Sequence, residues 1–187
     1  MLKRFILSTV ILFSSFTLHA GELEQAFNAF SSGNYAEALR LWAPLAEKEN
    51  HEAQYNLGIL YMKGLGVEKD LKAAFNWYKR SAKNGNTDAM YNLGIMYNKG
   101  KVIYRSPKDA TKWWKKAAEL GNAAAQFNIA VEYAYGRNLG KNIPLAISWW
   151  KKSARQGHKE SRTALYRVYS EGLFKIEKDQ QEANRWK

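Results

Sequence analysis

Apolar and polar positions follow one another along this chain with the period of an α-helix, and the whole pattern recurs every 36 residues. In residues 53–63, Leu57, Leu60 and Tyr61 have the three- and four-residue spacing that places side chains on one helix face. A second helix is predicted over residues 70–83. Its buried face is assigned to Ala74, Trp77, Tyr78, Ser81 and Ala82. The pattern therefore predicts a unit of two helices joined by a short loop.

Residues of several chemical types stay in register at the same offset. Chance does not align so many different types, so the chain is interpreted as an array of repeats. A glycine after the first helix suits a left-handed C-terminus, and Asp70 is a natural N-cap for the second helix. The aligned sets are Gly64, Gly100, Gly136 and Gly172; Tyr61, Tyr97, Tyr133 and Tyr169; Leu57, Leu93, Ile129 and Leu165; Trp77, Trp113 and Trp149; and Gly85, Gly121 and Gly157.

The repeats predict how the whole chain is organised. The expected segments are a cleavable signal peptide at 1–20, a divergent leading helix pair at 21–52, three repeats at 53–88, 89–124 and 125–160, and a partial repeat at 161–187. In the last repeat, Asp179 and Trp186 align only if one residue is inserted in the loop. Small residues at 58, 94 and 130 are expected where two helices cross closely. Trp113 is expected to be a core residue shared between neighbouring repeats.

Composition and charge limit the chemistry and the cellular location that are compatible with these repeats. The absence of cysteine excludes disulfides, cysteine-ligated zinc and thiol catalysis. The charged pair Lys3 and Arg4, a mostly apolar stretch at 5–16 and the small residue Ala20 have the layout of a secretory signal peptide. We therefore expect a periplasmic or secreted protein with no transmembrane span after cleavage. Export argues against nucleic acid as a partner, although the formal net charge is +12.

The first complete unit resembles a Sel1 repeat, a relative of the tetratricopeptide repeat with a longer loop between its helices. The matching positions are Ala53, Leu57, Gly58, Tyr61, Gly64, Gly66, Val67, Asp70, Ala74, Trp77, Lys79, Ala82 and Gly85. The resemblance covers nearly all of residues 21–187. It implies an all-α, right-handed α-solenoid of antiparallel helix pairs. It also implies an adaptor or scaffold, because Sel1-like proteins mostly act in this way.

The same resemblance places a binding face on the first helix of each repeat. In tetratricopeptide-like units, the residues just before the Leu-Gly pair and one turn later line a concave groove. The corresponding residues here are Tyr55, Asn56, Ile59, Tyr91, Asn92, Ile95, Phe127, Asn128 and Val131. A ladder of asparagines can hydrogen-bond an extended protein or peptide partner. The alternative is that these amides satisfy neighbouring backbone groups, or that they belong to the family consensus and bind no ligand.

Pairs of cations on the second helices form another candidate surface. These residues are Lys79, Arg80, Lys115, Lys116, Lys151 and Lys152. Stacked repeats would align them as a strip that can contact an anionic envelope component. The alternative is that cations near a helix C-terminus complement the helix dipole and need no ligand.

No constellation of residues in the sequence indicates a catalytic centre, a metal site or a cofactor. Ser148 and Lys151 match the S-x-x-K string of penicillin-recognising enzymes, but Lys151 belongs to the repeating lysine series. His51 and His158 precede first helices, and His51 lacks a second histidine at the zincin spacing. We therefore predict a protein-binding scaffold of the bacterial cell envelope. A β-lactam or cell-wall amide hydrolase and an anionic-surface binder are the alternatives.

The partial last repeat offers a further surface for binding. Because its second helix stops at Lys187, Leu165 and Tyr169 are expected to lie partly uncovered. A partner or a second copy of the chain can dock on such an edge, so the sequence also allows self-association.

Overall fold

The computed structural model describes residues 21–187, which form ten α-helices and one 3-10 turn. Helix α1 covers residues 21–31, and the 3-10 turn lies at Leu173–Lys175. The other helices are α2 (Tyr35–Glu47), α3 (His51–Lys63), α4 (Leu71–Lys83), α5 (Thr87–Lys99), α6 (Pro107–Glu119), α7 (Ala123–Tyr135), α8 (Ile143–Arg155), α9 (Lys159–Glu171) and α10 (Gln180–Asn184). Residues 21–187 contain no strand, so the predicted all-α class is confirmed. The predicted signal peptide at 1–20 lies outside the described residues.

Two compact units, Met1–Asn86 and Thr87–Lys187, divide the chain. In the described part of the first unit, helices α1 to α4 enclose a core that includes Trp42 and Leu57. In the second unit, each helix from α5 to α10 packs on the next one in sequence, and Trp150 lies in the core of its C-terminal part. Consecutive helices thus pack as pairs, as the 36-residue pattern predicts.

The second helix of each repeat begins with the same hydrogen bonds. Asp70, predicted as an N-cap, accepts from the backbone N–H groups of Lys72 and Ala73 at 2.8 and 2.9 Å. The equivalent caps in the later repeats are Ser106, Asn142 and Asp179. Each cap also donates its backbone N–H to a tyrosine carbonyl near the end of the preceding helix, at 2.9 to 3.0 Å; the acceptors are Tyr61, Tyr97, Tyr133 and Tyr169.

The residue inserted in the last repeat is accommodated by the 3-10 turn at Leu173–Lys175. Phe174 and Lys175 have φ values of 59° and 63°, in the left-handed region that non-glycine residues rarely adopt. Beyond the turn, the Asp179 N–H still reaches the Tyr169 carbonyl at 2.9 Å. The extra residue therefore changes the loop and leaves the start of α10 intact.

Two glycines lie where a helix meets an aromatic ring of the following helix. A Cβ at Gly58 would lie 2.5 Å from the Tyr78 ring, and a Cβ at Gly94 would overlap the Trp114 ring. The close approach at Gly94 lets Trp114 Nε1 donate to the Tyr91 carbonyl at 3.2 Å. The predicted close crossing is therefore present at both glycines.

Ala130 stands at the same position in the next repeat, and the ring beside it is placed differently. Trp150 is 3% exposed, and its indole N–H has no hydrogen-bond partner within residues 21–187. Trp42, at the same position of the leading helix pair, likewise has a buried indole N–H without a partner in residues 21–187. A buried donor without an acceptor is costly, at about 1–3 kcal/mol.

Two packing expectations from the sequence are wrong, one of them only in part. Trp113 is half-buried, whereas its neighbour Trp114 is only 6% exposed. The buried stripe of α6 runs through Ala110, Trp114 and Ala118, which leaves Trp113 at its margin. Leu165 is fully buried, and α10 packs on α9, so the expectation of a partly uncovered residue is wrong for Leu165. Tyr169 is half-buried, as expected.

Candidate functional site

The nine residues predicted to form a binding face lie on α3, α5 and α7, three on each helix. The aromatic member of each set is half-buried, and so is the β-branched member. Asn92 and Asn128 are also half-buried, while Asn56 is only 7% exposed and is the most enclosed of the three amides. In the second unit, α5 and α7 therefore each keep an aromatic ring, an amide and an aliphatic side chain partly accessible.

The asparagine amides on these helices are not used by the described part of the chain. Within residues 21–187, the side chains of Asn56, Asn92 and Asn128 form no hydrogen bond. Asn122, a helix cap, behaves in the opposite way: its oxygen accepts from the Ala125 N–H at 2.9 Å, and its nitrogen donates to Asp88 at 2.7 Å. The interpretation that the three amides satisfy neighbouring backbone groups is therefore not supported by their geometry.

The aromatic residues beside these amides are held by packing. The Tyr55 ring lies 5.7 Å from the Tyr78 ring, and burial, together with Tyr55, raises the pKa of Tyr78. Phe127 stacks on His158 with ring centres 5.3 Å apart. Burial raises the pKa of Tyr91, and the charge of Glu160 raises it further. Rings fixed in this way present contact area at low entropic cost.

A cavity of about 130 Å³ lies at the α7–α9 end of the predicted face. It includes Phe127 and Val131 from that face, and Trp150 from α8. Its other lining residues are Tyr135, Ala164, Arg167, Val168, Leu173 and Phe174. The sequence did not indicate this cavity, because Phe174 comes from the irregular loop of the last repeat.

In the first unit, the cations of the predicted strip contact groups of their own chain. Arg80 pairs with Glu47 at 3.0 Å and with Glu49 at 2.8 Å. The Lys79 ammonium lies 5.9 Å from the centre of the Phe75 ring. Arg80 thus has a structural role, which is to link the end of α2 to α4.

The cations of the strip in the second unit are engaged in a similar way. Lys151 is held most firmly, with its ammonium 2.8 Å from Glu182 and 5.3 Å from the centre of the Tyr169 ring. The remaining contacts are Lys115 with Glu119, Lys116 with the Trp113 ring and Lys152 with the Trp149 ring. These contacts favour the interpretation that the strip is structural and solvated.

In the Ser148–Lys151 string, the lysine that would act as the base is paired with Glu182. Burial opposes the charge on Lys151, but hydrogen bonds to Glu182 and Tyr169 raise the pKa of Lys151 above its ordinary value. A general base must be unprotonated, so this environment works against the role that the hydrolase alternative requires. His158 is the N-cap of α9: its Nδ1 accepts from the Ser161 N–H at 3.3 Å.

The described residues offer neither a cluster of metal ligands nor a membrane-spanning helix. Residues 21–187 contain no group of three or more histidine, aspartate or glutamate side chains placed to hold a metal ion. In the same range, none of the helices combines the length and apolar character needed to cross a membrane.

The family model for the Sel1 repeat matches this chain four times, at residues 51–86, 87–122, 123–158 and 162–186. Each complete match begins two residues before the corresponding repeat predicted from the sequence. The Sel1 repeat fold is typical of scaffolds for protein–protein interaction. A comparison with curated proteins found no match.

Solved structures with the same fold come from several bacteria. A Sel1 repeat protein from Oxalobacter formigenes is 30% identical, with a TM-score of 0.81 over 88% of this chain and 65% of its own. The protein c5321, a protective antigen present in uropathogenic Escherichia coli strains, is 29% identical, with a TM-score of 0.80 over 96% of this chain and 39% of its own. Helicobacter pylori cysteine rich protein B shares the fold at 16% identity and a TM-score of 0.56, over 69% of this chain and 92% of its own. The present chain thus spans less than two thirds of the length of the first two proteins.

Proposed function

Because this chain belongs to the Sel1 repeat family, we propose that it is a non-catalytic scaffold that binds a protein or peptide partner through α5 and α7. The proposed contact residues are Tyr91, Asn92, Ile95, Phe127, Asn128 and Val131. Tyr55, Asn56 and Ile59 on α3 are the equivalent residues of the first unit. The binding face is thus formed by first helices, and the second helices support it.

One observation carries this proposal: the amides of Asn92 and Asn128 occupy equivalent positions in consecutive repeats and have no hydrogen-bond partner within residues 21–187. An amide donates and accepts at once, so each one can bind the N–H and the C=O of an extended peptide. Half-buried Tyr91 and Phe127 lie next to these amides in the sequence and supply apolar area. This combination of polar and aromatic groups is typical of peptide-binding surfaces.

Site-specific photo-crosslinking tests the proposal. A photoreactive phenylalanine analogue at Phe127 should give a discrete crosslinked product when the protein is expressed in its own cells. The matched control places the same analogue at Tyr104, which is 77% exposed and lies in the loop before α6. We expect a specific partner at position 127 and none at position 104. The same product at both positions, or at neither, would contradict binding through this face.

We also propose that the protein acts outside the cytoplasm. The charged, apolar and small-residue order of residues 1–20 supports this localisation. Mass spectrometry of the envelope and medium fractions should detect a chain that begins at Gly21. Recovery of the intact chain in the cytosol would contradict the proposal.

A further inference from the structure

The cavity beside Phe127 exists because of the loop that distinguishes the last repeat. The left-handed conformation of Phe174 places its ring 5.6 Å from the Tyr135 ring and 6.1 Å from the Trp150 ring. These three rings form a wall around an opening of about 130 Å³. Non-glycine residues held in the left-handed region cost of order 1–3 kcal/mol and are concentrated at functional sites.

The aromatic wall has no counterpart in the other repeats. At the position of Tyr135, the earlier repeats have Lys63 and Lys99. At the position of Phe174 they have Gly66, Val102 and Asn138. The cavity is thus specific to residues 123–187 and does not follow from the shared repeat pattern.

The size and lining of the cavity fit one apolar side chain. A cavity of about 150 Å³ lined by apolar residues holds a benzene molecule, so a cavity of about 130 Å³ suits a phenyl or leucine-sized group. Trp150 lines the cavity with a buried indole N–H that lacks an acceptor within residues 21–187. The indole of Trp150 therefore serves as a reporter group within the cavity lining.

The rim of the cavity is cationic. Arg167 lines it, and its pairing with Glu171 at 2.9 Å is an exposed ion pair that an incoming carboxylate can share. The Arg137 guanidinium lies 5.3 Å from the centre of the ring of Tyr135, which is itself a lining residue. The whole second unit is also basic: residues 87–187 contain 19 lysines and arginines against 9 aspartates and glutamates, a net formal charge of +10. Such a surface attracts an acidic segment.

We propose that this cavity binds a phenyl- or leucine-sized apolar side chain of an acidic partner segment, with a neighbouring carboxylate at Arg167 and Arg137. The inference rests on the proposed function and specifies the chemistry of the partner at one end of the face. The segment's backbone would run along α7 toward Asn128, while its apolar side chain enters between Val131 and Phe174.

Three small probes test the cavity directly. Phenylacetate carries both the ring and the carboxylate, phenylacetamide carries the ring without the charge, and acetate carries the charge without the ring. In NMR spectra of the ¹⁵N-labelled protein, phenylacetate should shift the indole N–H signal of Trp150, with a Kd of about a millimolar. Phenylacetamide should bind about two- to fivefold more weakly, and acetate should leave the signal unchanged. Equal shifts from phenylacetate and acetate, or none from phenylacetate, would overturn the proposal.

Substitutions distinguish binding in the cavity from binding elsewhere on the face. Val131→Trp should fill the opening and abolish the phenylacetate shift. Arg167→Glu should weaken phenylacetate at least about fivefold. The control Arg162→Glu makes the same charge change on an exposed α9 residue that does not line this cavity. Equal weakening by both arginine variants would show a general charge effect and overturn the site. If phenylacetate does not bind in the cavity but the crosslink at Phe127 still forms, only this inference is refuted, because the crosslink tests partner binding by the face itself.

Discussion

At the scale of single residues, equivalent indole rings differ in their hydrogen bonding from one repeat to the next. Gly94 lets Trp114 approach closely enough to donate to the Tyr91 carbonyl, whereas the Trp150 N–H, in the repeat that has Ala130 at this position, has no acceptor in the described chain. The sequence predicted that small residues stand at these crossings. It could not predict which tryptophan of a Trp-Trp pair faces the core, because Trp113 and Trp114 lie on either side of the stripe boundary and differ by only about 100° of helix rotation.

Substituting Gly94 with alanine should destabilise the protein by about 1–3 kcal/mol. The new Cβ would overlap the Trp114 ring, and this packing cost exceeds the gain of about 1 kcal/mol in helix propensity. Gly140→Ala is the matched control, since a Cβ there meets no atom within 4 Å. Urea unfolding measures both variants. Equal stabilities would show that the crossing at Gly94 is looser than described.

Truncation of neighbouring tryptophans should have unequal effects. Trp114→Ala should cost about 3–5 kcal/mol, because it removes a ring that is only 6% exposed together with its hydrogen bond. Trp113→Ala should cost clearly less, because that ring is half-buried. Chemical unfolding of the two variants compares them, and a larger loss for Trp113 would mean that the buried face of α6 is wrong.

At the scale of helices and loops, the repeats are closed by hydrogen bonds that the sequence partly revealed. The caps at Asp70 and its equivalents were predictable because aspartate, serine and asparagine are common N-caps. The contact between Glu132 and Asn138 was not predictable from the repeat pattern. Asn138 replaces Gly66 of the first repeat, and Glu132 is a carboxylate buried within α7.

Glu132 should therefore hold the loop after α7. Its Oε2 accepts from the Asn138 backbone N–H at 3.0 Å and from the Asn138 side chain at 2.8 Å. Glu132→Ala should destabilise the protein by about 1–3 kcal/mol and speed hydrogen exchange at the Asn138 amide. The control Glu119→Ala removes an exposed carboxylate from α6 and should change neither. Unchanged exchange at Asn138 would contradict this role.

Acid should break the link between α2 and α4 only at very low pH. Hydrogen bonds from Asn84, Arg80 and Gln54 lower the pKa of Glu49 from 4.5 to about 2. A lowered pKa means that the stabilisation is complete above the ordinary value near 4.5 and is lost as the pH falls through about 2. NMR titration of the Glu49 carboxylate should show this low midpoint, and Asn84→Ala should raise it. A midpoint near 4.5 in the unmodified protein would rule out the network.

At the scale of the whole chain, the repeat pattern predicted the fold class and the helices, while the surfaces depended on details outside the pattern. The nine face residues could be chosen from the sequence because they recur at one helical position. Three other features could not be predicted from the sequence: the absence of hydrogen bonds to the asparagine amides, the pairing of Lys151 with Glu182, and the cavity beside Phe174. Each of these depends on contacts between distant residues or on the inserted loop residue, and spacing along the chain does not contain that information.

Binding of the partner by the first helices can be tested with a single set of affinity measurements. The partner crosslinked at Phe127 should be purified and its Kd measured with the double variant Asn92→Ala, Asn128→Ala. The comparison variant changes Lys115, Lys116 and Lys152 to glutamine; Lys151 is kept because its ion pair holds α10. Loss of two amide contacts should weaken binding at least tenfold, at about 1–3 kcal/mol each, with helical content unchanged. The lysine variant should bind almost normally. Normal binding by the asparagine variant together with lost binding by the lysine variant would contradict the account and identify the basic strip as the binding surface.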